Sequence, residues 1–184
     1  KIDYDPQGLT PGERDRLYKN RRVDPGEEHG YLTEAEALLC RNGALHERTH
    51  GDRYTEYAVV LDYGGVNDRC ALGVLHAVPG TDHAVLDRLH CWQGTHLDRV
   101  AINFDPLRPD ERSVEGWLKV VLANFRVGMI VVDPHQLEGL AIKYERRGHR
   151  VERFEYRGGK ANYQMAQILK TSVQNRKVTW SPHA

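Results

Sequence analysis

The sequence has no long hydrophobic run, and it is poor in cysteine. Its longest uncharged apolar stretch, residues 127–132, is far shorter than the roughly 20 residues that cross a bilayer. Its first residues, KIDYDP, do not resemble a signal peptide. The three cysteines, Cys40, Cys70 and Cys91, are an odd number without framework spacing. We therefore expect a protein of a reducing cytoplasm, with no membrane segment and no disulfide scaffold.

The sequence also lacks an excess of charge of either sign. Lysine and arginine together number 26, and aspartate and glutamate together also number 26, so bulk charge offers no attraction for nucleic acid. Any DNA contact must come from a local basic patch. No Walker A phosphate loop is present. The chain of 184 residues is long enough to bury a core, and because it starts without Met we expect a piece of a longer protein.

The hydrophobic pattern divides the sequence into a lead-in and a domain. Residues 1–53 are polar and punctuated by Pro and Gly, and they predict a linker with one short helix. That helix begins at a capping box formed by Thr33 and Glu36. Residues 54–184 carry the strand and helix patterns of a folded domain.

The order of those patterns predicts the fold class. Three strands joined by short turns form an antiparallel meander, and alternating helices and strands follow it. We expect strands at 57–62, 70–78, 84–92, 127–132 and 150–156, helices from Ser113, through Tyr144 and at 161–174, and a last strand at 177–180. This is an α/β fold, a mixed sheet with helices on both faces, and its order matches the ribonuclease H-like fold. The unbroken apolar run at 127–132 predicts a strand covered on both faces.

Two aspartates end strands that this fold places side by side. Asp62 ends the first strand and Asp133 follows the apolar strand. Two adjacent carboxylates raise each other's pKa unless a cation lies between them, and oxygen ligands suit a hard divalent cation. Two Mg²⁺ or Mn²⁺ ions about 3.5–4 Å apart would stabilise the attacking and leaving oxygens of phosphodiester hydrolysis. The alternative is that Asp133 only caps the helix after it.

Two further residues could contribute to such a site. His135 could hold a metal or orient water, although a histidine in a surface loop often has no such role. Asp68, in the turn beside Asp62, could bind the metal or cap the turn.

A basic segment is the candidate surface for DNA. Between positions 143 and 160 there are seven basic residues against three acids, an excess of four. A solvated helix and edge strand would also be charged, so both interpretations stay open. Gly158 and Gly159 predict a flexible tip that could approach a backbone closely. The candidate DNA contacts are Arg146, Arg147, Arg150, Arg153, Arg157 and Lys160.

Two segments resemble the nuclease domain of bacteriophage large terminase subunits. Residues 57–78, YAVVLDYGGVNDRCALGVLHAV, resemble its first hairpin. The segment MIVVDPHQLEGLAIKYERRGHRVERF resembles its second acidic strand with the following helix and strand, and YLTEAEALL resembles the segment that joins the packaging ATPase to the nuclease. The likeness covers roughly residues 30–180. It implies a metal-dependent endonuclease that cuts concatemeric double-stranded viral DNA, with Asp62 and Asp133 in the first and second acidic positions.

The resemblance also implies partners and one missing ligand. It implies a packaging ATPase in the same parent chain, a portal and a small terminase subunit as partners, and the host cell cytoplasm as the location. The family has a third acidic residue on a late helix, whereas residues 161–174 contain no acid. We expect that ligand to lie beyond Ala184, or a substitute such as Asp68 or Glu138 to serve. The chain alone would then bind the second metal poorly and be weak or inactive.

Other functions remain possible from the sequence. Residues 61–67, LDYGGVN, resemble the first phosphate motif of actin-like sugar kinases. Junction resolvases and transposase-type integrases share the acidic-cluster chemistry, and an inactive scaffold that docks on a portal is a third alternative. Cys40, His46 and His50 lack the fourth ligand of a zinc site.

Overall fold

The computed structural model describes residues 32–64, 69–96, 98–109, 112–154 and 158–182, with the backbone only for 158–162. The described residues form six strands and four helices. The strands are β1 (Tyr57–Asp62), β2 (Arg69–Ala77), β3 (Ala84–Gln93), β4 (Val127–Val132), β5 (Val151–Arg153) and β6 (Val178–Trp180). The helices are α1 (Glu34–Leu39), α2 (Val114–Asn124), α3 (Pro134–Glu145) and α4 (Gly158–Gln174).

The six strands form one mixed sheet in the order β5-β4-β1-β2-β3-β6. Strands β1, β2 and β3 pair antiparallel as a meander, while β4 pairs with β1, β5 with β4 and β6 with β3 in parallel. Only β2, among the described strands, therefore runs against the others. This arrangement confirms the predicted mixed sheet, including the last strand near residue 180.

The alternation of side chains in β1 sets the two faces of the sheet. Tyr57, Val59 and Leu61 are buried in the core, whereas Val60 and Asp62 are exposed on the other face. In β4, Ile130 and Val132 are buried and Val131 is half-buried. The covering of β4 is therefore less complete than its unbroken apolar run predicts.

Helices α2 and α3 cover one face of the sheet and form the main core with it. Helix α2 begins at Ser113, whose hydroxyl accepts a hydrogen bond from the Gly116 amide at 3.0 Å. After α3 the chain turns at Gly148, where φ is +86°, a conformation that glycine adopts without strain. The predicted helices on the opposite face stay a prediction. The buried helix residues of the core are Val114, Trp117, Leu118, Val121, Leu137, Leu140, Ala141 and Tyr144.

The described chain divides into two compact units. Residues 42–154 and 178–182 contain the sheet with α2 and α3, and residues 32–41 and 158–177 contain α1 and α4. In the second unit, Thr33 and Glu36 form the predicted capping box. There the Cys40 thiol donates to the Val173 carbonyl at 3.4 Å. The predicted domain boundary after residue 53 stays a prediction.

Two features of the helices bear on the sequence predictions. Gly158 and Gly159 belong to α4, so the predicted flexible tip is wrong. The first turn of a helix lacks many of the intrahelical bonds of its interior, so glycine is tolerated there. None of the helices in the described ranges combines the length and the hydropathy that a membrane-spanning helix requires.

Candidate metal centre at the sheet edge

The two candidate aspartates come from the carboxyl ends of neighbouring parallel strands. Leu61 of β1 lies beside Val132 of β4, so Asp62 and Asp133 are the next residues on adjacent strands. The Asp133 amide donates to the Leu61 carbonyl at 3.3 Å. Because paired strands lie about 4.8 Å apart, the structure brings these two residues together at one edge of the sheet.

Asp62 is exposed on the sheet face opposite the α2–α3 core. Its charge reaches the Cys70 thiol on β2. Burial raises the pKa of Cys70 to about 11, and the negative charge of Asp62 acts in the same direction. Cys70 is therefore a protonated, inert thiol at neutral pH, which agrees with packing rather than nucleophilic chemistry.

Asp133 is half-buried and caps helix α3. Its Oδ1 atom accepts a hydrogen bond from the His135 amide at 3.0 Å. The helix-cap interpretation thus describes its local structure. The Oδ2 atom accepts no hydrogen bond from the part of the chain that the structure describes, and a monodentate carboxylate can still bind a hard cation. Capping and metal binding are therefore compatible at this residue.

The described residues supply two carboxylates but no third ligand. Among them, no group of three or more His, Cys, Asp or Glu side chains is placed to hold a metal ion. Both carboxylate oxygens of Glu138 accept hydrogen bonds from the Arg153 guanidinium, at 2.9 and 3.2 Å from Nε. His135 is exposed in the first turn of α3. Asp68 lies outside the described residues.

Adjacent oxygen donors of this kind fit a divalent cation in chemistry. Two aspartates on neighbouring strands provide hard anionic oxygens, which Mg²⁺ and Mn²⁺ prefer over nitrogen or sulfur. Mg²⁺ keeps several waters and is commonly bound by one or two carboxylates together with substrate phosphates. The pair therefore fits such a cation without a full protein cage.

Much of the predicted basic surface lies away from the aspartate pair. Arg146 and Arg147 follow the end of α3, and the Arg150 carbonyl pairs with the Ile130 amide near the start of β4. Asp133 caps the other end of α3, which has 12 residues and is about 18 Å long. Arg157 and the side chain of Lys160 lie outside the described residues.

Several of these arginines are neutralised by neighbours. Arg153 pairs with both Glu138 and Glu145, and the hydrogen bonds to Glu145 and Glu138 raise its pKa above the ordinary value. Arg150 lies 3.0 Å from a carboxylate oxygen of Glu152. Such pairs leave less positive charge for phosphate than the sequence count suggests.

Arg146 and Arg147 differ from those arginines. The Arg147 guanidinium lies 5.2 Å from the Tyr144 ring centroid and 3.9 Å from a Glu115 carboxylate oxygen. Arg146 forms no ion pair with the described residues. The role of this segment in DNA binding stays a prediction.

Sequence reasoning missed a cation at the aspartate edge. Arg69, the first residue of β2, pairs with Gln93 of β3, and Asp62 pairs with Ala71. Residues two apart in a strand share a face, so Arg69 and Asp62 lie on the same face of the sheet. Finding it would have required the β1–β2 register, which the length of the turn does not fix.

Two buried acids lie outside the aspartate pair. Glu115 accepts hydrogen bonds from the Lys143 ammonium at 2.8 Å and from the Phe104 amide at 3.0 Å. Burial raises the pKa of Glu115, but these hydrogen bonds outweigh burial and the net pKa is lowered. On β3, Asp87 lies 2.6 Å from His76 Nδ1, and burial raises the pKa of Asp87 despite this contact. Both acids fasten neighbouring elements together.

Comparison with known proteins gives matches at the level of structure. No family model matches the sequence, and no curated protein matches it. The large terminase nuclease of thermophilic phage G20c has a TM-score of 0.56 at 13% identity, over 82% of this chain and 74% of that chain. Structures of that nuclease have also been determined with bound zinc, magnesium and cobalt.

Longer terminases match over the same region. The HK97 bacteriophage large terminase gives a TM-score of 0.56 at 14% identity, over 83% of this chain and 34% of that chain. A large terminase from a thermophilic bacteriophage, in complex with ATP-γ-S, gives 0.50 at 13% identity, over 79% and 34%. The chain thus spans about a third of these large terminases. At such identities the likeness shows the fold, which is the ribonuclease H-like fold of terminase nuclease domains, as the sequence predicted.

Proposed function

We propose that this chain is the nuclease domain of a bacteriophage large terminase, an endonuclease that hydrolyses phosphodiester bonds of double-stranded DNA. The observation that carries the proposal is the position of Asp62 and Asp133 on adjacent strand ends in this fold. The metal-bound forms of the G20c nuclease support a divalent cation as the cofactor. We propose Mg²⁺ or Mn²⁺, in a two-metal site.

In the proposed mechanism, Asp62 and Asp133 hold the cations and orient the scissile phosphate between them. Two cations bound there supply charge stabilisation for the attacking and leaving oxygens. The Asp133 carboxylate is held in place by the His135 amide, which fixes one of its oxygens. Tyr63 donates to the Val100 carbonyl at 2.7 Å and so holds the loop before α2 against the end of β1. His135 and Asp68 are proposed as auxiliary ligands or water-orienting groups.

The biological role proposed is the cutting of concatemeric viral DNA during genome packaging in the host cell cytoplasm. A packaging ATPase in the same parent chain is supported by the two longer terminases, of which this chain spans about a third. The portal and the small terminase subunit are proposed partners of that parent protein.

Titration with Mn²⁺ and cleavage of supercoiled plasmid test the proposal together. We expect Mn²⁺ to bind wild type, and Asp62→Asn and Asp133→Asn each to abolish binding and any cleavage, because each removes an anionic ligand. Asp52→Asn is the matched control, since Asp52 lies at the opposite edge, where its amide is bonded to the Tyr57 hydroxyl. Equal Mn²⁺ binding by all four proteins would overturn the proposal. Binding of nucleotide instead would favour a kinase, and binding of neither ligand would favour a scaffold.

A further inference from the structure

The face that carries Asp62 has a long basic side chain at the same edge. Asp62 pairs with Ala71 across the antiparallel β1–β2 ladder, and Arg69 precedes Ala71 by two residues. Asp62 and Arg69 are therefore diagonal cross-strand neighbours, whose Cα atoms typically lie about 7–8 Å apart, within reach of a long side chain. Arg69 is exposed. A ligand held at Asp62 would thus meet a guanidinium on the neighbouring strand.

The surface next to this diagonal pair is built from small or polar side chains. Cys91 lies across from Ala71, and Gln93 lies across from Arg69, all on the face that carries Asp62. Cys91 and Gln93 are exposed and Ala71 is half-buried. No bulky side chain of β2 or β3 occupies these positions, so a phosphodiester backbone can approach Asp62 along this edge.

The nearest predicted DNA contact on the other side of the site faces the wrong way. Arg153 lies beside Val132, which is buried in the core under α3. Its guanidinium is bonded to Glu138 and Glu145 of α3 rather than turned to the face of Asp62. A guanidinium matches the non-bridging oxygens of a phosphate in bidentate geometry, and Arg69 presents one at the correct face and edge.

We infer that Arg69 is a phosphate-binding residue, whose guanidinium holds the non-bridging oxygens of the DNA phosphate that lies against Asp62 and Asp133. The inference rests on the proposed nuclease function of that site. It assigns to Arg69 a role in binding and positioning the substrate, not in holding the metal.

Binding without cleavage provides the first test. Fluorescence anisotropy with a labelled DNA duplex in EDTA is measured over a range of NaCl concentrations. We expect Arg69→Gln to weaken binding about tenfold and to reduce the slope of log K against log salt by about 1, because one phosphate contact is lost. Arg69→Lys should recover the slope but only part of the affinity. An unchanged slope in Arg69→Gln would overturn the inference.

The matched control removes an exposed arginine at the opposite edge of the sheet. Arg126 precedes β4, and its guanidinium is 4.0 Å from Glu56 with 62% of its side chain exposed. Arg126→Gln changes net charge by the same amount and should leave the salt slope unchanged. An equal loss of slope in both variants would show a general charge effect and would also overturn the inference.

Alkylation of Cys91 provides a second readout that needs no cleavage. Cys91 is exposed, whereas the free thiols of Cys40 and Cys70 are buried, so iodoacetamide should modify Cys91 first. We expect bound duplex to slow that reaction in wild type and Arg126→Gln, but not in Arg69→Gln at the same DNA concentration.

The two readouts separate the inference from the proposed function. Protection of Cys91 that depends on Arg69, without any Mn²⁺-dependent cleavage, would support the inference and count against the nuclease. Cleavage that requires Asp62, with protection equal in Arg69→Gln, would support the nuclease and overturn the inference.

Discussion

Glu115 shows how a single buried charge can link three parts of this fold. Its side chain is 1% exposed and lies in the first turn of α2. It binds the ammonium of Lys143 on α3 and the amide of Phe104 in the preceding loop. Because Lys143 is 39% exposed, its charge is partly solvated and the pair is less costly than a fully buried one.

Removing this charge should destabilise the sheet unit. We expect Glu115→Gln to lower the free energy of unfolding by about 1–3 kcal/mol, since the amide keeps the shape but loses a charge-assisted hydrogen bond. Urea unfolding at pH 7 measures the difference. Glu152→Gln removes an exposed carboxylate paired with Arg150 and should change stability by no more than about 0.5 kcal/mol. Equal effects would mean that burial of Glu115 contributes nothing.

The same residue predicts a pH dependence with a defined sign. The folded protein holds the pKa of Glu115 below the model value of 4.5. Its contribution is therefore complete above that value and is lost as the pH falls through the lower pKa of the folded state. The stability difference between wild type and Glu115→Gln should be constant from pH 7 to about pH 5 and shrink below it. A difference that grows on acidification would contradict this.

At the scale of elements, helix α3 contains two contrasting glycines. Gly139 lies in the helix interior, and a Cβ atom added there would meet no heavy atom within 4 Å. Gly148 lies just beyond the helix with a φ of +86°. The same substitution therefore has opposite expected effects at the two positions.

We predict that Gly139→Ala stabilises the protein and Gly148→Ala destabilises it. Alanine in a helix interior is favoured over glycine by about 1 kcal/mol, whereas a side chain at positive φ costs about 1–2 kcal/mol. Thermal melting of both variants against wild type provides the measurement. Shifts of the same sign would show that the backbone geometry at Gly148 is not as described.

Local signals predicted these elements well because they depend on nearby residues. The Thr33 capping box, the Ser113 cap and the stop at Gly148 each involve contacts within a few positions. Pairing across the sheet depends on distant partners instead. The facing of Arg69 toward the side of Asp62 and the burial of Glu115 could not be read from periodicity alone.

At the scale of the whole sheet, the site is a consequence of strand order. Strand β4 returns beside β1 after the meander, so residues 71 positions apart in sequence, Asp62 and Asp133, end neighbouring strands. The sequence predicted this adjacency through the order of its elements. It did not predict how charge is distributed, because Arg153 and Arg150 pair with carboxylates that only the fold brings near.

The central claim is that Asp62 and Asp133 together bind a divalent cation. X-ray diffraction from crystals soaked in Mn²⁺, with data collected at the manganese absorption edge, tests it directly. The account predicts an anomalous peak within about 2.0–2.5 Å of carboxylate oxygens from both residues, and its absence in Asp62→Asn crystals. No peak between the two carboxylates at saturating Mn²⁺, or an identical peak in Asp62→Asn, would contradict it.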